Sequence, residues 1–253
     1  SDRVDISRYR NIPVPTSHMA ETSEFDSVGG YDHGAKAGIL HVADHHISPG
    51  KKQWTWGCGD FGKAWDRNLT DEDGPYIELM TGVFTDNQPD FTWLKPFEEK
   101  VFTQYFMPYK EIGEVKNASV DAMVNLSLRE NAAEVAVYTS GAFAGATVAL
   151  SLAGNEIWRE TADLSPVRAF HARVPFSCEK ETDVTVSVRD SGGRLLVRYT
   201  PLEKKIEKLP EPAQPAKDPA EIQTNEELFL TGLHIEQYRH ATYLPDPYYL
   251  EGL

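Results

Sequence analysis

The chain has 253 residues, with 39 Asp and Glu against 25 Lys and Arg, which gives a formal net charge of −14. This length fits one large domain or two ordinary ones, and a hydrophobic fraction of 40% is enough to build folded cores. The acidic balance argues against nucleic acid and anionic membranes as partners, and the lack of a long apolar stretch or signal peptide predicts a cytoplasmic protein that binds no membrane.

Residues 1–116 are rich in Trp, His, Gly and Asp, and polar residues interrupt their apolar runs. Glycine-bounded runs at 52–56 and 76–80 predict short strands separated by turns. Between these runs, residues 61–69 predict a helix of two turns at most.

Residues 57–62 read Gly-Cys-Gly-Asp-Phe-Gly, which matches the G-x-G-x-x-G pattern of dinucleotide-binding loops. Such a site requires a full helix inside a parallel βαβ unit, whereas residues 68–75 end the helix early. We therefore interpret the motif as a glycine-rich turn, and we expect no cofactor.

Residues 117–200 differ from the first stretch, because apolar and polar residues alternate there with a period of two. Turn residues such as Gly154-Asn155 and Ser191-Gly192-Gly193 separate the alternating runs. About seven short strands at this spacing predict an antiparallel β-sandwich of immunoglobulin-like type. The alternating apolar positions include Val120, Ala122, Val124, Leu126, Leu128, Val148, Leu150, Leu152, Phe170, Ala172, Val174, Val184, Val186, Val188, Leu195, Val197 and Tyr199.

Residues 201–223 hold five prolines and show no apolar periodicity, which predicts an extended linker. Thr224 and Glu227 form a capping box ahead of an apolar run, so a helix is expected from there to about Tyr243. Asp246 and Pro247 predict the cap and first residue of a second helix. The helical pair at 224–253 carries so much apolar surface that we expect it either to pack on the sandwich or to begin a repeat array that contacts a protein partner.

Three imidazoles and one carboxylate occur within six residues, at His41, Asp44, His45 and His46, and His33 lies upstream. On a strand, His41 and His45 would share one face, with Asp44 and His46 on the other. These groups suit Zn²⁺, but the H-x-x-x-H spacing converges only on a helix, which the following Pro-Gly pair opposes. We predict no metal; the histidines either are structural or hydrogen-bond to sugar hydroxyls.

Tryptophans are interspersed with acidic and amide residues between positions 54 and 98. Carbohydrate sites stack the C–H faces of sugars on indole rings and bind hydroxyls through Asp, Asn, Glu and His. Any single Trp is as readily a core residue, yet the whole set predicts a polar-ligand cleft within residues 30–110. The predicted sugar-binding residues are His33, Asp44, His45, His46, Trp54, Trp56, Trp65, Asp86, Asn87, Gln88, Trp93 and Glu98.

The segment at 74–91, followed by residues 94–99 and 104–106, resembles the C-terminal part of aldose 1-epimerases (galactose mutarotases). In that family a strand carries a Glu, an N-Q-P-type turn follows, and an R-P-G-E stretch leads into the last strand. Glu78 matches the position of the catalytic base, although the family's E-T-Q reads Glu-Leu-Met here and R-P-G-E reads Lys-Pro-Phe-Glu at 95–98. The resemblance implies that Glu78 takes a proton from a sugar hydroxyl, while a histidine from an earlier part of the fold serves as the acid.

Four longer runs resemble a largely uncharacterised bacterial family in which a mutarotase-like β-supersandwich precedes a small β-domain and tetratricopeptide repeats. These runs are residues 29–34, 36–38, 41–46 and 233–240. The resemblance implies a mainly β fold, with part of a supersandwich at 1–116, an immunoglobulin-like sandwich at 117–200 and the start of helical repeats at 224–253. It also implies that the chain is an internal fragment.

We therefore expect a carbohydrate-binding or carbohydrate-processing protein, with a sugar or oligosaccharide as its ligand. A glycoside hydrolase is the alternative to an epimerase, and it would pair Glu78 with Asp86 or Glu98. The rival hypothesis is a non-catalytic scaffold that contacts proteins through its β-domains and helical repeats.

Overall fold

The computed structural model describes residues 4–20, 22, 24–84, 92, 94–203, 214–238 and 242–253. The fold is mainly β, as predicted, with four antiparallel sheets and a helical C-terminal segment. Residues 1–203 and residues 204–253 form two compact units. Among the described residues, no helix combines the length and the apolar character that crossing a bilayer requires.

The first unit contains all fourteen described strands and one α-helix, and the second unit contains two α-helices. The strands are β1 (Thr16–Met19), β2 (Ser27–Asp32), β3 (Ala37–Val42), β4 (Gly50–Thr55), β5 (Ile77–Gly82), β6 (Tyr105–Lys110), β7 (Asn117–Ala118), β8 (Ala122–Arg129), β9 (Ala132–Thr139), β10 (Phe143–Leu152), β11 (Asn155–Leu164), β12 (Phe170–Pro175), β13 (Val184–Arg189) and β14 (Leu195–Tyr199). The helices are α1 (Asp60–Leu69), α2 (Asn225–Tyr238) and α3 (Asp246–Glu251).

Two four-stranded sheets, ordered β11-β10-β13-β14 and β12-β9-β8-β7, form the predicted sandwich. Their facing sides enclose an apolar core in which Val148, Leu150 and Val186 are fully buried. The sandwich has eight strands rather than about seven. One of them, β9, buries apolar residues on both faces, so its sequence lacks the period of two that marks the others.

The last strand of the sandwich departs from the predicted alternation. Leu196 and Val197 are both buried, whereas Leu195 is 40% exposed. The pairing of β13 with β14 shifts register between Val188 and Arg189. Such a bulge interrupts strict alternation and lets two consecutive residues contribute to the core.

Two three-stranded sheets, β1-β4-β5 and β2-β3-β6, precede the sandwich. Leu40 of β3 and Met107 of β6 belong to an apolar cluster with Met123 of β8, so the second sheet packs on the outer side of the sandwich. On its other side, His41 Nδ1 lies 3.0 Å from Thr81 Oγ1 of β5, which brings the two small sheets together. Residues of both sheets line a cavity of about 930 Å³.

Helix α1 connects β4 to β5, and these two strands pair with each other in antiparallel orientation. This arrangement excludes the parallel βαβ unit of a dinucleotide-binding fold, as the sequence indicated. The helix has ten residues, which is longer than the two turns predicted.

The second unit contains α2 and α3, whose core includes Leu228, Ile235 and Tyr248. Thr224 Oγ1 accepts a hydrogen bond from the Glu227 N–H at 3.1 Å, which confirms Thr224 as the cap of α2. The Glu227 carboxylate lies 3.2 Å from Lys217 Nζ.

Helix α2 is described as far as Tyr238, and residues 239–241, through which the predicted helix would continue, lie outside the described residues. The start of α3 differs slightly from the predicted one, because the helix begins at Asp246 itself, with Pro245 in the cap position. Much of the predicted linker, residues 204–213, lies outside the described residues.

Candidate functional site

Glu78, the predicted catalytic base, lies on β5 directly opposite Trp54 of β4. Directly opposed residues of an antiparallel pair project from the same face of the sheet, with Cβ atoms about 5 Å apart. The Tyr76 hydroxyl donates a hydrogen bond to Glu78, and this bond, followed by burial, raises the pKa of Tyr76. An indole, a carboxylate and a phenol therefore share one surface, which we call the Trp54–Glu78 surface.

An aromatic cluster continues this surface toward α1. Trp56 and Trp65 stack with ring centroids 4.5 Å apart and planes inclined by 12°, and Trp54 meets Trp56 edge to face at 5.3 Å. Phe61 of α1 contacts both Trp56 and Trp65 and is 58% exposed. The buried Trp56 Nε1 has no hydrogen-bond partner among the described residues, which is uncommon for an indole N–H.

The glycine-rich turn allows the start of α1 to pack closely against the end of β4. A Cβ atom on Gly62 would lie 1.7 Å from the Gly57 carbonyl oxygen, and Gly57 itself has a φ of +84°. Both positions therefore require glycine for conformation and close packing. The Asp66 carboxylate of α1 accepts hydrogen bonds from the Tyr76 N–H at 3.0 Å and the Tyr9 hydroxyl at 3.1 Å. These bonds connect α1 to the start of β5 and to the N-terminal segment.

The cavity between the two small sheets lies on the other side of the first sheet from Glu78. It is lined there by Gln53, Ile77 and Leu79, which alternate with Trp54 and Glu78 along the two strands. His33 also lines this cavity, so the predicted residues His33 and Glu78 lie on opposite sides of the sheet.

His33 belongs to an ionic cluster at the edge of the cavity. Its Nε2 atom lies 2.9 Å from Arg8 Nη1 and 3.1 Å from Glu114 Oε1, and Arg8 also pairs with Glu114. Burial acts to raise the pKa of Glu114, but the hydrogen bond and charge of Arg8 outweigh it and leave the pKa below its usual range.

A second polar cluster is buried where the two small sheets meet. His41 is 2% exposed and Lys51 is 6% exposed, and both lie on the inner side of the contact. Burial and the charge of Lys51 lower the pKa of His41, although a hydrogen bond with Gln104 opposes them. Burial also lowers the pKa of Lys51 and outweighs the attraction of Asp26 and Asp44.

Residues 41–46 do not form one continuous strand, because β3 ends at Val42. Asp44, His45 and His46 instead begin a turn, because the Asp44 carbonyl accepts the N–H groups of residues 47 and 48 at 3.0 and 2.8 Å. His41 and His45 therefore do not share a strand face. The His45 Nδ1 atom lies 2.7 Å from Asp26 Oδ1, a carboxylate that no local sequence pattern selects.

The remaining predicted residues do not join the Trp54–Glu78 surface in the described part of the chain. The Glu98 carboxylate accepts a hydrogen bond from the Lys95 N–H at 2.9 Å, and its Oε1 atom lies 3.9 Å from Lys100 Nζ. Both partners lie within three residues of Glu98 in the same loop. The neighbouring Phe97 replaces the glycine of R-P-G-E and has a φ of +65°, a conformation that favours glycine. Four predicted residues lie outside the described residues: Asp86, Asn87, Gln88 and Trp93.

Sequence reasoning missed several residues that complete these clusters. Arg8 and Glu114 are 106 positions apart, and Asp26 and His45 are 19 positions apart. Only the tertiary fold brings such residues together, so no local pattern marks them. Tyr76 is the exception, since it lies two positions before Glu78 and a period of two places both on one face.

Comparison with known families divides the first unit near residue 116. Residues 1–115 match the domain of unknown function DUF5107, and residues 117–199 match the second domain of YphG-like proteins. Neither description names a mutarotase domain or a tetratricopeptide repeat, so both resemblances stay predictions. No solved structure matches the chain significantly.

Proposed function

We propose that this chain, which matches DUF5107 at residues 1–115 and the second domain of YphG-like proteins at residues 117–199, belongs to a carbohydrate-binding or carbohydrate-processing protein. The observation that carries the proposal is the cross-strand pair of Trp54 and Glu78. A sugar presents an apolar C–H face and a rim of hydroxyls, and an indole beside a carboxylate complements both.

The proposed surface is organised before a ligand binds. Tyr76 holds the Glu78 carboxylate through its hydroxyl, and Trp65 backs Trp56 by stacking. Such prior fixing of side chains reduces the entropy lost on binding. In our proposal Trp54 stacks on the sugar ring, and Glu78 accepts hydrogen bonds from its hydroxyls.

If the intact protein is an enzyme, Glu78 is the residue proposed to take a proton from a sugar hydroxyl, as the mutarotase resemblance implies. His18 of β1 is paired with Gln53 and lies on the other face of the same sheet, and His41 lies beyond that face. A histidine acid would therefore have to reach the Trp54–Glu78 surface from outside this sheet. The position of His18 and His41 away from Glu78 is the observation that supports an acid from another part of the mutarotase-like fold.

A scaffold is the second candidate function, and the helical unit supplies the observation that favours it. Phe229, Leu230 and Leu250 are each more than half exposed on α2 and α3. Exposed apolar side chains of this size are typical of surfaces that contact other proteins. This function would use the helices, whereas sugar binding would use the N-terminal sheets.

The proposal is tested by probing the chain on an array of mono- and oligosaccharides and measuring the affinity of each hit by calorimetry. We expect Trp54→Ala to weaken binding about tenfold or more, which corresponds to about 1.4 kcal/mol of lost stacking. The matched control is Trp158→Ala, which removes a half-buried strand Trp from the sandwich. No binding to any sugar, or equal losses in the two variants, would contradict the proposal.

The catalytic part of the proposal has a separate test. Glu78→Gln keeps the shape of the side chain but removes the base, so turnover of any sugar substrate should fall about 10²-fold or more while affinity changes little. Glu160→Gln, an exposed carboxylate on β11, is the control and should leave turnover unchanged. Unaltered turnover in Glu78→Gln would leave binding as the only proposed role of Glu78.

A further inference from the structure

The turn after β3 brings three potential metal ligands together. One ligating atom from each of Asp44, His45 and His46 lies within 4.8 Å of the other two. The imidazole rings of His45 and His46 have centroids 3.9 Å apart. Because the three residues are consecutive and the turn is closed by hydrogen bonds to the Asp44 carbonyl, the backbone itself holds these donors in one place.

Asp26 orients one of these histidines. Its Oδ1 atom lies 2.7 Å from His45 Nδ1 and accepts the main-chain N–H of His45 at 2.9 Å. The Ala43 N–H also donates to the Asp26 carbonyl at 2.8 Å, which ties Asp26 to the start of the turn. A histidine that binds a metal ordinarily donates its other N–H to a carboxylate, and here this leaves Nε2 of His45 for an ion.

The charges around the turn also favour a cation. Lys51 Nζ lies 3.3 Å from the Ser48 carbonyl and interacts electrostatically with Asp26 and Asp44. Two carboxylates against one ammonium leave one negative charge next to the imidazoles. A divalent cation would therefore be attracted, although Lys51 makes the attraction weaker than two carboxylates alone would.

The sequence alone predicts no metal here, because His41 and His45 converge on one ion only if they lie on a helix. The turn assembles a different set of donors, and we propose that Asp44, His45 and His46 bind a divalent first-row transition ion of the Zn²⁺ type, with Asp26 as the positioning residue of His45. Imidazole and carboxylate form a donor set that Zn²⁺ accepts, and three protein ligands leave one tetrahedral position for water or a ligand oxygen. Asp44 and His46 are exposed, so an ion can reach them from solvent. The site uses other residues than the Trp54–Glu78 surface and does not depend on sugar binding.

Calorimetric titration of the metal-free chain with ZnCl₂ tests the site directly. We expect one ion per chain, with affinity reduced at least tenfold in both Asp44→Asn and His46→Gln. The matched control is His171→Gln, which removes an exposed histidine from β12 and should bind Zn²⁺ as the unaltered chain does. Absence of stoichiometric binding, or equal affinity in His46→Gln and His171→Gln, would overturn the proposal.

The positioning role of Asp26 needs a second readout, because Asp26 also organises the turn. Asp26→Asn should bind Zn²⁺ about 10- to 100-fold more weakly, and the visible absorption of bound Co²⁺ should change shape because His45 is no longer oriented. Asp26→Glu should restore part of the affinity. Thermal unfolding of each metal-free variant checks that the turn and its sheets are still folded. A Co²⁺ spectrum identical to that of the unaltered chain would remove Asp26 from the site.

Discussion

The interior of the N-terminal sheets differs from that of the sandwich. The sandwich core consists of Val, Leu and Ala side chains, and Thr139 is its one buried polar residue in the described part of the chain. The described part of the N-terminal region buries four: His41, Ser48, Lys51 and Thr55. Since burying polar groups costs free energy unless they are paired, the N-terminal sheets must stabilise their interior through hydrogen bonds and charge interactions, whereas apolar burial stabilises the sandwich.

The largest expected effect comes from the sandwich core. Leu150→Ala should lower the free energy of unfolding by about 2–5 kcal/mol, because Leu150 is fully buried among apolar neighbours. Lys51→Met removes a buried ammonium that interacts with Asp26 and Asp44, and we expect it to cost less than Leu150→Ala because both carboxylates keep access to water. Urea unfolding followed by Trp fluorescence measures both, since every Trp lies before residue 204. Equal losses of unfolding free energy in the two variants would contradict the expected difference between the two interiors.

A steric change in the glycine-rich turn should have the next largest effect. Gly62→Ala places a methyl group 1.7 Å from the Gly57 carbonyl oxygen, so we expect a loss of about 1–3 kcal/mol or more. Gly30→Ala is the matched control, because a Cβ atom there meets nothing within 4 Å. The same urea titration compares the two, and an unaffected Gly62→Ala protein would show that α1 does not pack as described.

A smaller effect should appear as a pH dependence that originates in the N-terminal sheets. His41 is buried against Thr81, Phe106 and the charge of Lys51, and its pKa is lowered. The unfolded chain therefore takes up a proton at His41 at a higher pH than the folded chain does. Stability should be complete above the unfolded pKa of about 6.5 and should fall as the pH decreases below it.

Thermal midpoints measured between about pH 7.5 and pH 5 test this sign. The His41→Gln variant should show a flatter profile than the unaltered chain over that interval. His171→Gln serves as the control, because His171 is exposed on the sandwich. An unchanged slope in His41→Gln would mean that His41 does not titrate differently in the folded and unfolded states.

The smallest effect is expected from the ionic cluster at the cavity edge. Glu114→Gln should cost less than about 1 kcal/mol, because the side chains of Glu114 and Arg8 are 42% and 37% exposed. With the pKa of Glu114 lowered, its contribution is present above the unfolded pKa and is lost as the pH falls through the folded value. The difference between Glu114→Gln and the unaltered chain should shrink in high salt. A loss that exceeds about 2 kcal/mol and is insensitive to salt would contradict this.

The two regions also differ in how far their structure follows from sequence. Most sandwich strands were predictable because burial of one face imposes a period of two. The exceptions are β9, which is buried on both faces, and the bulge near Leu195. The Thr224 cap was predictable because its hydrogen bond spans three residues. The contacts of His45 with Asp26 and of His33 with Glu114 depend on which strands pair, and local sequence does not encode this. The side of the sheet that Glu78 shares with Trp54 likewise emerges only from the register of β4 and β5.

In our proposal, a sugar binds to the N-terminal sheets through the Trp54–Glu78 surface. Hydrogen–deuterium exchange of the chain, with and without the best-binding glycan from the array, tests this location. We expect slower exchange in residues 76–82, which form part of that surface, and in residues 60–69 of the adjoining helix. Exchange in residues 117–200 should be unchanged. Protection confined to the sandwich or to residues 224–253 would contradict the claim.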